Sequence, residues 1–213
     1  MANELIGRAE AYVKELFENE YTGHDYFHTL RVFNMATHIA ECESADTETV
    51  QLAALLHDAD DRKLSPDTYE TLGNARAFLT SNGVDDGRIE TICRIIREIS
   101  FGANDAPPTT LEGMCVQDAD RLDAIGAVGI ARAFAYGGSR QRLMHHPDIS
   151  PKPNMTKEEY RASNSTTVNH FYEKLFKLTS MMNTQTAKRI AESREEYMRG
   201  FIDEFMAEWD GKK

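Results

Sequence analysis

The spacing of apolar residues is the feature of this 213-residue chain that most restricts its fold. Nearly every segment repeats an apolar side chain every three to four residues, the period of an α-helix that buries one face. No segment of the sequence shows the strict alternation of apolar and polar residues that is typical of a half-buried β-strand. The sequence therefore predicts an all-α fold.

The predicted helices differ in burial and in how clearly their ends are marked. The run VQLAALL at 50–56 is apolar almost all round, which predicts a buried central helix. Ser-Pro-Asp at 65–67 is typical of a helix start, and that helix should end at the Asn-Gly pair at 82–83. One further helix should cover 111–136 and end at the following glycine pair.

The C-terminal third of the chain begins with a segment of different composition. Residues 139–165 contain three prolines and few apolar residues, so they are expected to form an exposed loop or lid. Two helices at about 166–210 should follow as a C-terminal extension. We expect the whole chain, 1–213, to form a single domain.

Charge and cysteine content restrict the partners and the compartment. A formal net charge of −11 disfavours binding to nucleic acid or to anionic membranes, so an anionic substrate would need a local positive centre. The N-terminal segment lacks the basic and continuous apolar regions of a signal peptide. Three widely separated cysteines in apolar stretches are typical of buried, reduced thiols. These features predict a cytoplasmic protein without nucleic-acid or membrane partners.

The strongest chemical signal is the pair His57-Asp58 at the end of the buried 50–56 run. Charge is costly to bury unless it is paired or bound to metal. His28 begins another helix, and three further aspartates cluster near residue 120. Two imidazoles with carboxylates favour a divalent ion such as Mn, Fe, Co, Ni or Zn. A His-Asp pair by itself is also typical of a helix cap or a salt bridge.

Five blocks of the sequence form a recognisable set: GHDYFHTLRV (23–32), ALLHDADDRKL (54–64), IREISF (96–101), DADRLDAIGAVGIARAFAYGG (118–138) and HFYEKLFKL (170–178). Together they resemble the HD-domain superfamily of metal-dependent phosphohydrolases, and in particular a subgroup of small bacterial HD hydrolases. The resemblance is strongest over about 20–140.

The resemblance implies an HD-domain helical bundle, with a core at about 20–140, that binds one divalent ion. Mn is the first expectation, with Mg, Co, Ni, Fe or Zn as alternatives. Ile99 stands where some HD proteins have an additional metal-binding histidine, which favours one ion over two. Asp118 and Asp123 are rivals for the fourth ligand. The expected ligands are His28, His57, Asp58 and Asp120.

The resemblance also assigns roles around the metal. Asp61, one turn beyond Asp58, is expected to position or deprotonate the attacking water, and Asp60 is a weaker candidate. Asp123 is expected to contact either the substrate or one of the residues that bind the metal. The residues expected to bind phosphate or line the mouth of the site are Arg31, Lys63, Arg121 and His24.

The predicted partner is a small phosphorylated molecule, and a homodimer is a candidate assembly. Within the subgroup, the best single prediction is hydrolysis of a (deoxy)nucleoside triphosphate with release of pyrophosphate, and a nucleoside monophosphatase is the alternative. A ligand-binding or signalling module without catalysis is a third reading. A diiron HD oxygenase would need more histidines near the His-Asp pair.

Overall fold

The computed structural model describes residues 2–18, 25–99, 107–156, 159 and 165–213, and this part of the chain is helical with no β-strand. It divides into two compact units, Met1–Asp120 and Arg121–Lys213. The expectation of a single domain stays a prediction. The helices are α1 (Ala2–Leu16), α2 (Tyr26–Glu43), α3 (Thr47–Leu56), α4 (Gly73–Ser81), α5 (Asp86–Ile99), α6 (Leu111–Asp123), α7 (Gly126–Ser139), α8 (Thr167–Glu173), a 3₁₀ helix (Leu175–Met181) and α9 (Gln185–Trp209).

Helix α3 is the centre of the first unit. It packs against α1, α2 and α5, and every side chain from Leu52 to Leu56 is fully buried. A short helix that is apolar all round is stable when neighbours cover each face. The prediction of a buried central helix at 50–56 is therefore confirmed. The isoleucines of α5, which recur every three to four residues, also face the core, since Ile89, Ile92, Ile96 and Ile99 are all buried.

The second unit is built from α7, α8, the 3₁₀ helix and α9. Its interior contains an aromatic cluster in which the Phe134 ring contacts Phe171, Phe201 and Phe205 at centroid distances of 5.9 to 6.1 Å. Residues 140–156 contain no helix and are largely exposed, as expected for the start of the predicted loop. Residues 157–158 and 160–164 of that loop lie outside the described part of the chain.

Two predicted helix boundaries are wrong, each because a residue adopts a left-handed backbone. The expected helix 111–136 is two helices, since Gly126 has φ 78° at the break between α6 and α7. The helix expected to start at 65–67 begins at Gly73, because turns occupy residues 62–72 and Leu72 has φ 54°. Its predicted end is correct, because Asn82 is the C-cap residue.

The cysteines differ from expectation at one position. Cys93 and Cys115 are buried free thiols, as predicted, but Cys42 is exposed because it lies on the solvent-facing side of α2. Burial raises the pKa of Cys115 to about 12, so this thiol stays protonated at neutral pH. Among the described helices, none combines the length and apolarity that crossing a membrane would require.

Candidate metal centre

His28 is positioned by the start of α2. The Asp25 side chain caps this helix and accepts a hydrogen bond from the His28 backbone N–H at 2.7 Å. The cap fixes His28 in the first helical turn, where its side chain is 2% exposed. Asp25 is therefore the N-cap residue of the helix that carries His28.

His57 is the C-cap residue of α3 and follows the buried run directly. Its Nδ1 atom lies 2.8 Å from the carbonyl oxygen of Ala54. Because a carbonyl can only accept, Nδ1 carries the hydrogen and donates it. In the neutral imidazole, Nε2 then has a free lone pair, the form in which histidine binds a metal.

Four side chains of the first unit converge at this point. The Nε2 atom of His28 lies 3.4 Å from Oδ1 of Asp120 and 3.6 Å from Oδ2 of Asp58. The same Oδ2 atom of Asp58 lies 3.2 Å from Nε2 of His57. The potential ligand atoms of His28, His57 and Asp120 all lie within 4.8 Å of one another.

These distances fit one divalent ion. Donor atoms about 2.1 Å from a shared ion lie roughly 3 to 4 Å from each other in tetrahedral or octahedral geometry. The Nε2 atom of His57 is also buried, and its 3.2 Å contact with Oδ2 of Asp58 does not have the geometry of a hydrogen bond. A buried polar atom of this kind is costly unless something binds it. Two imidazoles and two carboxylates suit Mn, Fe, Co, Ni or Zn, and the residues therefore fit the implied ion.

The electrostatics of the cluster are those of a cation site. Burial disfavours the charged form of His57, but the carboxylates of Asp58 and Asp120 outweigh it and raise the pKa of His57 to about 9. Burial likewise opposes ionisation of Asp120, but His28 and His57 hold the pKa of this carboxyl below its usual value. The cluster therefore attracts positive charge, which a proton supplies when no metal is bound.

The two acids that follow the His-Asp pair have different surroundings. Asp60 is 2% exposed, and its two carboxylate oxygens accept the backbone N–H groups of Asn74 and Ala75. Asp61 is partly exposed, and its Oδ1 accepts the backbone N–H of Lys63 at 2.8 Å. The geometry thus favours Asp61 over Asp60 as a group that reaches water.

The rivals for the fourth ligand have other surroundings. Asp118 is fully buried. Burial is the main cause of the raised pKa of Cys115, and the negative charge of Asp118 is the next largest cause. Asp123 belongs to the second unit, where it forms an ion pair with the guanidinium of Arg132. The structure therefore supports Asp120, although metal binding by these residues stays a prediction.

Of the residues expected to bind phosphate or line the mouth of the site, the structure describes Arg31, Lys63 and Arg121. Lys63 is exposed, and Arg31 lies on α2 with a partly exposed side chain. Arg121 is 9% exposed, and its guanidinium donates to the carbonyl oxygen of Met181 within the second unit. Its predicted contact with substrate stays a prediction. His24, expected at the mouth of the site, lies outside the described residues.

Two features of the site escaped the sequence reasoning. Asn74 was not singled out, although its contacts with Asp60 hold the segment after the His-Asp pair. Asp60 lies thirteen positions before α4, so no N-cap pattern links it to that helix, and Ser-Pro-Asp at 65–67 indicated a helix start elsewhere. Arg132 was also missed, because nothing in the sequence distinguishes it from the other arginines of the chain.

Comparisons with known proteins identify the family. The HD-domain family model matches residues 25–125. YpgQ of Bacillus subtilis is 38% identical over 195 residues, which are 90% of this chain and 87% of that protein. The crystal structure of an HD-superfamily hydrolase from Bacillus thuringiensis has a TM-score of 0.79 at 38% identity and covers 99% of both chains.

A further solved structure adds a ligand. It is that of Bacillus subtilis YpgQ in complex with ADP, with a TM-score of 0.79, 34% identity, and coverage of 97% of this chain and 96% of that chain. Similarity at this level over nearly the whole length, together with the clustered histidines and aspartates, leads to one conclusion. This chain belongs to the HD superfamily and is a metal-dependent phosphohydrolase.

Proposed function

We propose that this protein hydrolyses the phosphoanhydride between the α- and β-phosphates of a (deoxy)nucleoside triphosphate and releases pyrophosphate. The observation that carries the nucleotide assignment is the ADP complex of YpgQ, a relative similar over nearly the whole chain. The phosphate chemistry rests on the cluster of His28, His57, Asp58 and Asp120. Mn is the ion we expect first.

The four clustered residues would hold the ion from one side. The ion would supply polarisation of a phosphoryl oxygen and a water of lowered pKa. The hydrogen bond from His57 Nδ1 to Ala54 keeps Nε2 directed at the cluster before any ion binds. Burial of both imidazoles excludes bulk water from that side, which strengthens the attraction between the site and a cation.

The residues after the His-Asp pair would act on the substrate. Asp61 would accept the proton of the attacking water, because it is the partly exposed carboxylate nearest in the chain to Asp58. The two are linked through their backbones, since the Asp61 N–H donates to the Asp58 carbonyl at 3.0 Å. Lys63 and Arg31 would neutralise phosphate charge on an otherwise acidic protein.

A product-release screen tests the substrate assignment. The purified protein is incubated with nucleoside and deoxynucleoside mono-, di- and triphosphates, with Mn, Mg, Co and Ni supplied separately. Phosphate and pyrophosphate are measured independently. We expect pyrophosphate from triphosphates in the presence of Mn. Phosphate release from monophosphates alone would replace the proposal with a nucleoside monophosphatase, and no product with any nucleotide would refute it.

The assignment of Asp61 is tested by Asp61→Asn. The variant retains an oxygen that can accept the Lys63 N–H, so the turn should persist while the base is lost. Turnover should fall by roughly two to four orders of magnitude, with little change in KM or metal content. Lys63→Ala should instead raise KM clearly. Asp67→Asn, an exposed acid of the same loop, serves as the control and should retain wild-type turnover. Near-normal turnover in Asp61→Asn would remove Asp61 from the mechanism.

A further inference from the structure

Helix α4 begins without a cap of its own. Its N-cap residue, Leu72, has a left-handed backbone with φ 54° and makes no side-chain hydrogen bond to the helix. The first N–H groups of an α-helix have no partner within the helix, so an external acceptor must satisfy them where they are buried. The acceptor of α4 therefore comes from elsewhere in the chain.

Asp60 is that acceptor. Its Oδ1 accepts the Asn74 N–H at 2.9 Å, and its Oδ2 accepts the Ala75 N–H at 3.0 Å. The carboxylate is 2% exposed, so these two bonds and the positive end of the helix compensate for its burial. Asp60 is thus engaged at both oxygens by a helix that begins thirteen positions later in the chain.

Asn74 makes the contact reciprocal. Its Nδ2 atom donates to the carbonyl oxygen of Ala59 at 2.8 Å and lies 3.2 Å from Oγ of Ser65. Because Ala59 presents a carbonyl, the amide nitrogen must face it. The four hydrogen bonds of Asp60 and Asn74 are referred to below as the Asp60–Asn74 clamp.

The clamp holds the segment 57–65 near its middle and at its end. Regular helix α3 ends at Leu56, so the position of Asp58 depends on the turn that follows. Within that turn the Asp61 N–H donates to the Asp58 carbonyl at 3.0 Å, and the Ser65 N–H donates to the Asp61 carbonyl at 2.8 Å. The clamp contacts Ala59, Asp60 and Ser65, and therefore fixes the backbone on both sides of Asp61.

We propose that Asp60 and Asn74 are positioning residues that hold Asp58 in the geometry that binds metal and Asp61 in the geometry that activates water. The inference rests on the proposed metal centre, and it gives the acid between those two residues a role of its own. Asp60 acts through its neighbours and touches neither metal nor substrate. Its contribution should therefore be visible in metal affinity as well as in turnover.

Two variants weaken the clamp in different ways. Asp60→Asn replaces one acceptor oxygen by an NH₂ group that faces a backbone N–H, while Asn74→Ala removes both side-chain bonds and keeps those to the Asp60 carboxylate. Asp46→Asn is the matched control, because Asp46 caps the opposite end of α3 by accepting from the Glu48 N–H. It weakens a cap of the same chemistry away from the His-Asp pair.

The experiment measures Mn²⁺ affinity by titration calorimetry, well below the Tm of each variant. Asp60→Asn and Asn74→Ala should bind Mn²⁺ about 10- to 100-fold more weakly than wild type, the usual loss when a group that orients a metal ligand is removed. Asp46→Asn should stay within about threefold, whatever its loss in Tm. Hydrogen exchange of the metal-free protein should be faster over 57–61 in the clamp variants than in Asp46→Asn.

The outcomes separate the clamp from the proposed function. Folded Asp60→Asn and Asn74→Ala that bind Mn²⁺ with wild-type affinity would overturn the positioning role, even with a lowered Tm. If Asp60→Asn does not fold, Asn74→Ala decides the question, because it keeps both bonds that cap α4. A wild type that binds Mn²⁺ but hydrolyses no nucleotide would refute the proposed substrate. The affinity comparison would still test the clamp.

Discussion

His57 in the first unit and His170 in the second are both largely buried imidazoles with opposite surroundings. Burial works against protonation of both. Near His57 the carboxylates of Asp58 and Asp120 outweigh it, and the pKa rises to about 9. Near His170 the cationic side chains of Lys174 and Arg142 add to the effect of burial, and the pKa falls to about 3.

The difference shows that a buried histidine does not by itself indicate a metal site. An imidazole among carboxylates occupies a place that attracts positive charge, and a divalent ion can take over that role from the proton. An imidazole beside Lys and Arg stays neutral, and a cation there would be repelled. The carboxylates around His57 therefore carry the assignment more than the histidine does.

Two aspartates of α6 differ in the same way, because one lies beside an imidazole and the other beside a guanidinium. Asp120 lies beside the imidazole of His28, whereas Asp123, three residues later, pairs with Arg132. An imidazole can lose its proton and share a metal, but a guanidinium keeps its charge at any physiological pH. Asp120 is thus suited to bind metal, and Asp123 to stabilise the second unit.

The largest expected difference is between His57→Ala and His170→Gln. His57→Ala should abolish stoichiometric Mn²⁺ binding and lower activity by at least about a thousandfold, since it removes a ligand and leaves Asp58 and Asp120 with His28 as their imidazole partner. His170→Gln should retain about one Mn²⁺ per chain. Metal content by mass spectrometry, with circular dichroism to confirm folding, measures both. Wild-type metal content in His57→Ala would refute the claim that His57, unlike His170, belongs to a metal site.

A smaller effect should separate the two aspartates. Asp120→Asn is expected to weaken Mn²⁺ binding by about 10- to 100-fold or more, because it removes a charged ligand. Asp123→Asn should change Mn²⁺ affinity by no more than about threefold and lower the free energy of unfolding by about 1 to 3 kcal/mol, since its buried carboxylate is paired. Titration with Mn²⁺ measures the affinity of the two variants, and chemical denaturation measures their free energy of unfolding. The reverse order of affinities would identify Asp123 as the ligand.

A third difference concerns the pH dependence of stability in the metal-free protein, where the change per pH unit is small. The folded pKa of His57 lies above the unfolded value of 6.5, so its stabilisation is complete below pH 6.5 and is lost as pH rises to about 9. The folded pKa of His170 lies below 6.5, so stability is lost as pH falls from 6.5 towards about 3. Each histidine should change the folding equilibrium by up to about tenfold per pH unit in its own window.

Denaturant titrations of metal-free wild type, His57→Asn and His170→Gln over about pH 4 to 9 test this point. His170→Gln should reduce the loss below pH 6.5, and His57→Asn should reduce the loss above it. Saturating Mn²⁺ should also remove the loss above pH 6.5, because metal-bound His57 carries no competing proton. Identical profiles for the three proteins would show that the two surroundings do not differ as described.

The sequence predicts well what local pattern decides. The buried helix α3, the isoleucine face of α5 and the convergence of His28, His57 and Asp120 all follow from helical spacing and the family resemblance. The break at Gly126 was not predicted, because the apolar pattern continues across it and a positive φ leaves little trace in one sequence. The role of Asp60 was missed because its partners are the backbone N–H groups of a helix that starts later than expected.

The most direct test of the metal centre is a crystal structure of the protein soaked with Mn²⁺, with data collected at the manganese absorption edge. We expect one anomalous peak per chain, about 2.0 to 2.3 Å from Nε2 of His28, Nε2 of His57 and carboxylate oxygens of Asp58 and Asp120. A peak beside Asp118 or Asp123 instead, two peaks in the site, or no peak at saturating Mn²⁺ would contradict this expectation.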